Sequence, residues 1–313
     1  MGNSSSLYTN SAFEQPWWLD IVAAGRWGEV VVKENEEIVA RMPYVVDKGK
    51  ITMPQLTQTL GPWIKKEYRE YCVGNTQLSK QKEIIYALLT QLPKHKSFNM
   101  CFDSINEYIL PYRWQGYRYS PSFSYRIDVL SNLDNVYANF NSTVKKNIRS
   151  ATNKKVRIIE DDCESLETLY TMTFANQKRS TPGDKDIRAR IMTETIRRGN
   201  GKVITAIDEE GHLHSSAFLL YDENGCYYLL GGSNPEFRSS GAQSLVLWKA
   251  IEFAAGVSKY FDFEGSNIEG IENFFRQFGG RRVLNYNIVK QSWVADCAEV
   301  FKPRIKRVVG YKN

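Results

Sequence analysis

Tyr227-Tyr228-Leu229-Leu230-Gly231-Gly232-Ser233-Asn234 is followed by a helical run from Gln243 to Ala255. Phe261-Asp262-Phe263-Glu264-Gly265-Ser266 and Phe274-Phe275-Arg276-Gln277-Phe278-Gly279-Gly280 come after it. The first run reads as a strand that ends on two glycines. The second is a short strand that ends on an acidic residue and a glycine, and the third closes a helix read over Ile268–Phe278.

Working outward, strands are read at Lys202–Asp208, His212–Tyr221, Gly225–Gly231, Tyr260–Glu264 and Val283–Val289. Two helices precede them, Ser165–Phe174 and Asp186–Arg198. They are separated by a turn, Thr181-Pro182-Gly183-Asp184, whose last residue is placed to cap the second helix. Further upstream, Asp134–Lys155 reads as one helix. Val136, Tyr137, Phe140, Val144 and Ile148 lie on its inner side, with a basic remainder that includes Lys145, Lys146 and Arg149. That helix is expected to join two halves of the molecule.

The first half begins with a short helix from Phe13 to Val22 and a strand meander over Trp27–Pro54. A loop rich in proline and glycine spans Gln55–Lys65, a helix Ser79–Leu92, and strands Ser97–Asp103 and Tyr125–Val129. Laying the segment that starts at Gly28 on the one that starts at Gly201 matches Gly28, Val30 and Glu36-Glu37 with Gly201, Val203 and Glu209-Glu210. The echo is either a duplication or two hairpins that obey the same turn chemistry.

With 313 residues the chain has room for two units. Hydrophobic content of 42% and charged content of 24% fit folded, globular units. The five cysteines are scattered and lack CxxC spacing, so neither a disulfide framework nor a zinc site is expected. His212 and His214 share a strand face without a third ligand in view, so no metal is expected there. Met1-Gly2-Asn3-Ser4-Ser5-Ser6 has the form of a myristoylation signal but reads as a frayed polar start. No apolar run spans a membrane and no secretory pattern is present, so the expectation is a cytoplasmic protein, a monomer or homodimer. A formal charge of +6 suits an anionic small-molecule partner; DNA is not expected.

The ordered motifs Tyr227–Asn234, Gln243–Ala255, Phe261–Ser266 and Phe274–Gly280 resemble the second GNAT-like domain of the FemAB family. The resemblance runs from about Tyr125 to Val289 and extends more weakly to Trp17–Trp63. It implies an α/β (α+β) protein of two GNAT-like domains, each a mixed, mostly antiparallel sheet flanked by helices. Residues 1–130 would form a degenerate first domain and 131–313 the domain that carries the acyl-transfer site. The implied activity is N-acyl transfer from acyl-coenzyme A to a small-molecule or peptide amine. Two alternatives are an aminoacyl-tRNA-dependent peptidyltransferase acting on a cell-wall precursor, and a GNAT-like protein that only binds an anion. The chain departs from the family pattern twice. Phe275 stands where the family has lysine, and the loop Arg238-Ser239-Ser240-Gly241-Ala242-Gln243 ends on Gln243 instead of a small residue. No segment resembles the helical arm that some relatives carry.

Site residues follow from pattern and resemblance together. Asp262 and Glu264, two apart on a strand, are candidate bases for the amine proton, with helix capping or ion pairing as the alternative role. Tyr228 is the candidate donor to the leaving group, and Tyr227 a candidate substrate contact. Arg238, Ser240, Gly241 and Ala242 precede a helix and suit a pyrophosphate. Arg276, Lys145 and Arg149 are candidate substrate-binding cations.

Overall fold

The computed structural model describes residues 8–69, 75–160, 162–265 and 268–291; Cys72, Ser266 and Cys297 lie outside them. The strands are β1 (Trp27–Glu34), β2 (Glu37–Asp47), β3 (Lys50–Ile51), β4 (Trp63–Ile64), β5 (Phe98–Phe102), β6 (Arg118–Ile127), β7 (Arg157–Glu160), β8 (Gly201–Ile207), β9 (Leu213–Tyr221), β10 (Gly225–Ser233), β11 (Tyr260–Asp262) and β12 (Arg281–Lys290). The α-helices are α1 (Pro16–Val22), α2 (Lys66–Arg69), α3 (Asn75–Gln91), α4 (Leu110–Trp114), α5 (Leu133–Ala138), α6 (Ser142–Asn153), α7 (Cys163–Asn176), α8 (Lys185–Arg197), α9 (Ala242–Ala255) and α10 (Glu269–Phe275). The strands form one sheet in the order β1-β2-β3-β5-β12-β6-β11-β10-β9-β8-β7, with β4 paired to β2 off that path.

Most neighbours are antiparallel; the parallel pairs are β3–β5 and β10–β11. The last strand among the described residues, β12, lies between β5 and β6 and pairs antiparallel with both, so it ties the β1–β5 side of the sheet to the side that runs from β6 to β7. Both segments of the sequence echo are antiparallel hairpins, β1–β2 and β8–β9. The first turns on Asn35 and Glu36, both left-handed (φ 48° and 67°), as a tight two-residue hairpin turn requires.

Side-chain alternation sends Phe218 and Leu220 of β9 into one apolar core and Ala217 and Leu219 into the other. The first core joins the first half to α7 and α8; the second packs α5, α6, α9 and α10 on the opposite face. Asp184 caps α8 by accepting the N–H groups of Asp186 and Ile187, as its place in the turn predicts. The single helix expected over Asp134–Lys155 is instead two. Asn139 ends α5, and Asn141 caps α6 while donating its N–H to the Gln277 carbonyl at 2.8 Å. Helix α4 and strand β7, each five residues or fewer, are additions to the sequence reading. Among the described residues no helix is long and apolar enough to cross a membrane.

Candidate active site

Strands β10 and β11 run parallel but pair only over Gly225–Tyr227 and Tyr260–Asp262. Beyond Tyr227, β10 keeps its ladder with β9 as far as Ser233, so its other edge opens into a wedge. Two local features hold the wedge open. A register irregularity between Tyr228 and Leu230 interrupts alternation, so that Leu229 and Leu230 both enter the first core. On the other side β11 stops because Glu264 and Gly265 are both left-handed (φ 58° and 52°). A Cβ on Gly265 would stand 1.9 Å from the Phe123 carbonyl oxygen, so only glycine fits there.

Tyr228 points to the second core, its ring 5.9 Å from Phe275 and its hydroxyl against Gly231. Burial pushes that hydroxyl up to about 12, while the Gln243 side chain, hydrogen-bonded to it, works the other way. Gln243 is the second residue of α9, so Tyr228 meets the start of that helix. The 3-10 turn Pro235–Ser240 and a left-handed Gly241 (φ 85°) lead into α9. Gly241 lies so close to the Asn147 carbonyl of α6 that a Cβ would come within 2.2 Å. Ser240 Oγ accepts the Ala242 N–H at 3.2 Å, so one amide of the expected phosphate loop is already engaged. Arg238 is exposed. The loop and the basic helix are thus neighbours: Lys154 Nζ donates to the Ser239 carbonyl at 3.0 Å. Arg149 is exposed, whereas Lys145 donates to the Ala138 carbonyl at 2.7 Å and closes α5.

The two carboxylates, one at the end of β11 and one just past it, separate in role. Asp262 is fully buried. One of its oxygens accepts Nε and Nη2 of Arg126 at 3.1 and 3.0 Å, and the other accepts the Ser124 hydroxyl and the Glu264 N–H. The Arg126 guanidinium stacks on Tyr260 at 4.0 Å and lies 3.7 Å from Asp103. With its lone pairs occupied and no solvent path, Asp262 is an ion-paired anchor and not the surface base expected of it. Glu264 differs. Burial, with the charge of Asp262 adding to it, raises its carboxyl well above the ordinary range, and its Oε1 is buried without a partner.

Tyr227 is also placed away from any substrate. It is 1% exposed, bonded to the Tyr260 hydroxyl at 2.7 Å and packed on Phe13 at 4.9 Å. Arg276 is exposed, 3.7 Å from Glu272 on its own helix. Phe275 is buried against Phe263 at 5.3 Å, so the position of the family lysine is part of the core. The structure therefore brings Tyr228 and the Arg238–Gln243 loop together at the start of α9, sets Glu264 just past the end of β11, leaves Arg149 exposed on α6, and keeps Asp262 and Tyr227 inside. Sequence reading missed Arg126, Ser124 and Tyr260 as partners of Asp262. The one available signal was an arginine placed next to the aromatic and apolar residues Tyr125 and Ile127 at the end of the strand.

Residues 138–276 match the acetyltransferase (GNAT) domain family. Over that stretch the fold is GNAT-like. The chain as a whole has a FemAB-like GNAT fold. It is similar to FemX, with a TM-score of 0.66 and 13% identity over 92% of this chain and 94% of that one. The C-terminal domain of a protein described as a lysylphosphatidylglycerol synthetase from Agrobacterium fabrum gives 0.59 and 9%, over 95% and 93%. L-PGS from Bacillus licheniformis gives 0.51 and 11%, over 87% of each chain. At these identities the likeness concerns the fold. No curated protein matches the sequence. In the GNAT half the wedge lies at the C-terminal end of a parallel strand pair, where open α/β sheets place their ligands.

Proposed function

We propose that the chain is an N-acyltransferase whose donor is acyl-coenzyme A. The observation that carries this reading is the meeting of the Tyr228 hydroxyl with the start of α9 at the open edge of β10. The acyl thioester would occupy the wedge, with its phosphates on the Arg238–Ala242 loop. The amine nitrogen attacks the thioester carbonyl carbon, forming the C–N bond. As the C–S bond breaks, the thiolate leaves with the Tyr228 proton and the amine proton passes to Glu264. Tyr228 regains its proton from solvent and Glu264 releases one, so charges and protons balance. Once ionised, a carboxylate raised by burial is a stronger base than an ordinary glutamate. The acceptor is a small-molecule or peptide amine, the location cytoplasmic, and residues 1–130 a degenerate first GNAT-like unit.

A second reading is transfer from an aminoacyl-tRNA. It draws on Lys146 and Arg149, exposed cations on α6 beyond the loop that a pyrophosphate would occupy. Thermal unfolding with saturating coenzyme A and acetyl-coenzyme A separates the two. A ligand at about 100 times its dissociation constant adds about 2.7 kcal/mol. The expected result is an upward shift that Arg238→Ala reduces. No shift with either ligand would sink the coenzyme A reading, and retention of an aminoacyl-tRNA would then favour the second.

A further inference from the structure

The sheet has two ends, and they are protected differently. At one end β7 is four residues long and carries Arg157 and Glu160, and a short charged strand is a poor template for further pairing. At the other end β1 runs for eight residues without a proline and has Val30, Val31 and Val32 at its centre. Among the described residues β1 pairs with β2 alone, so one whole edge of its backbone is open. We infer that this edge is the interface of a symmetric homodimer, in which β1 pairs antiparallel with β1 of a second copy about a two-fold axis at Val31.

The direction of the backbone groups sets the register. The Arg26 carbonyl accepts the Val46 N–H at 2.7 Å, so position 26 bonds toward β2 and every second position after it does the same. At the far end Glu34 pairs with Glu37 across the tight turn, which keeps that order. The register irregularity beside Val32 adds its extra residue, Val39, to β2, so β1 itself keeps its alternation. Glu29, Val31 and Lys33 therefore turn their N–H and C=O groups outward in one row.

The side chains of that row are complementary to themselves. With Val31 opposite its own copy, Glu29 stands opposite Lys33 on both sides of the axis, and Val30 stands opposite Val32. Both charges are available. Lys33 is exposed and has no ion-pair partner among the described residues. Glu29 gives Oε2 to Arg41 Nε at 2.7 Å and has no second partner among the described residues. Val31 is half-buried and belongs to neither apolar core. Other symmetric registers lose this match. An axis at Val30 or Val32 puts Glu29 or Lys33 opposite Val31, and an axis at Glu29 or Lys33 sets like charges face to face. Strand β1 lies seven places from β10 in the strand order, so the dimer leaves both wedges open and stands independently of the reaction proposed above.

Sedimentation equilibrium of the untagged full chain over a range of concentrations is the first test, and a reversible monomer–dimer equilibrium is expected. Lys33→Glu sets like charges opposite each other twice across the axis and should weaken the dimer by about tenfold. Val31→Pro removes an outward N–H that β2 does not use, and should abolish it. Cysteines read the register. Opposite residues of a bonded antiparallel pair have Cα atoms about 5.5 Å apart, so Val31→Cys should give a disulfide-linked dimer under mild oxidation that the unchanged chain does not give. In the same dimer position 33 lies about 13 Å from its own copy, so Lys33→Cys should not link. Circular dichroism checks folding; if Val31→Pro does not fold, Lys33→Glu and the two cysteine variants decide. A monomer at every concentration, a dimer indifferent to Lys33→Glu, or linkage through Lys33→Cys instead of Val31→Cys overturns the proposal.

Discussion

The two parallel strand pairs of the sheet are both connected through a helix and have different fates. The connection from β3 to β5 runs through β4, α2 and α3, and that from β10 to β11 through α9. In the first pair the space beside β5 is filled. Leu60 donates its N–H to the Cys101 carbonyl at 2.7 Å, and Gly61 lies against the Phe102 ring. Trp18 Nε1 fastens the same loop through the Thr57 hydroxyl at 2.9 Å. In the second pair, among the described residues, no loop bonds to the β10 edge beyond Tyr227. One topology therefore gives a packed unit and an open one, and the difference is a loop that satisfies a strand edge with its own backbone.

The strongest way to break the comparison is to collapse the open side. Arg126→Met leaves the buried Asp262 carboxylate without its cation and is expected to cost about 3–5 kcal/mol in denaturant unfolding. A next effect belongs to the packed side. Burial raises the Glu14 carboxyl to about 7 although Asn10 bonds to it. Because the folded pKa lies above the unfolded one, the native state holds the extra proton, and stability falls as pH rises from about 4.5 to about 7. The loss is expected to approach about 3 kcal/mol and to vanish in Glu14→Gln, as measured by unfolding across that window.

Gly61→Ala tests the plug itself. Its Cβ would come within 2.7 Å of the Phe102 ring, so a loss of about 1–2 kcal/mol is expected with no change in coenzyme A affinity. A change in affinity would mean that the packed half takes part in binding. The smallest expected effect on stability, less than about 1 kcal/mol, is that of Tyr228→Phe, whose hydroxyl has the Gln243 side chain as partner. That variant should nevertheless slow acyl transfer, and unchanged turnover would remove Tyr228 from the mechanism.

Much of the fold was legible because its long elements are periodic. Helix α9 and strands β8 to β10 lie within a few residues of their predicted limits. Short elements such as α4 and β7 carry too little period to be read. The bulge at Leu229 leaves no local signature, although it helps shape the wedge. The roles of Asp262 and Glu264 were not separable in sequence. What distinguishes them is Arg126, which lies 136 positions away and arrives through strand pairing. Phe275 was visible as a departure from the family, but only packing shows that its position belongs to the core.

The place of β12 bears on how the chain is made. Strand β5 acquires its second neighbour, and β6 its tie to the first half, only when residues 281–290 are in hand. During synthesis at about 5–20 residues per second, β5 leaves the ribosome with one edge exposed for on the order of 10–40 s. The nascent protein must be shielded or remain unfinished over that interval. A chain cut before Arg281 would keep the residues of the first core other than those of β12 but leave β5 and β6 each with an open edge, and is expected to be prone to edge-to-edge association.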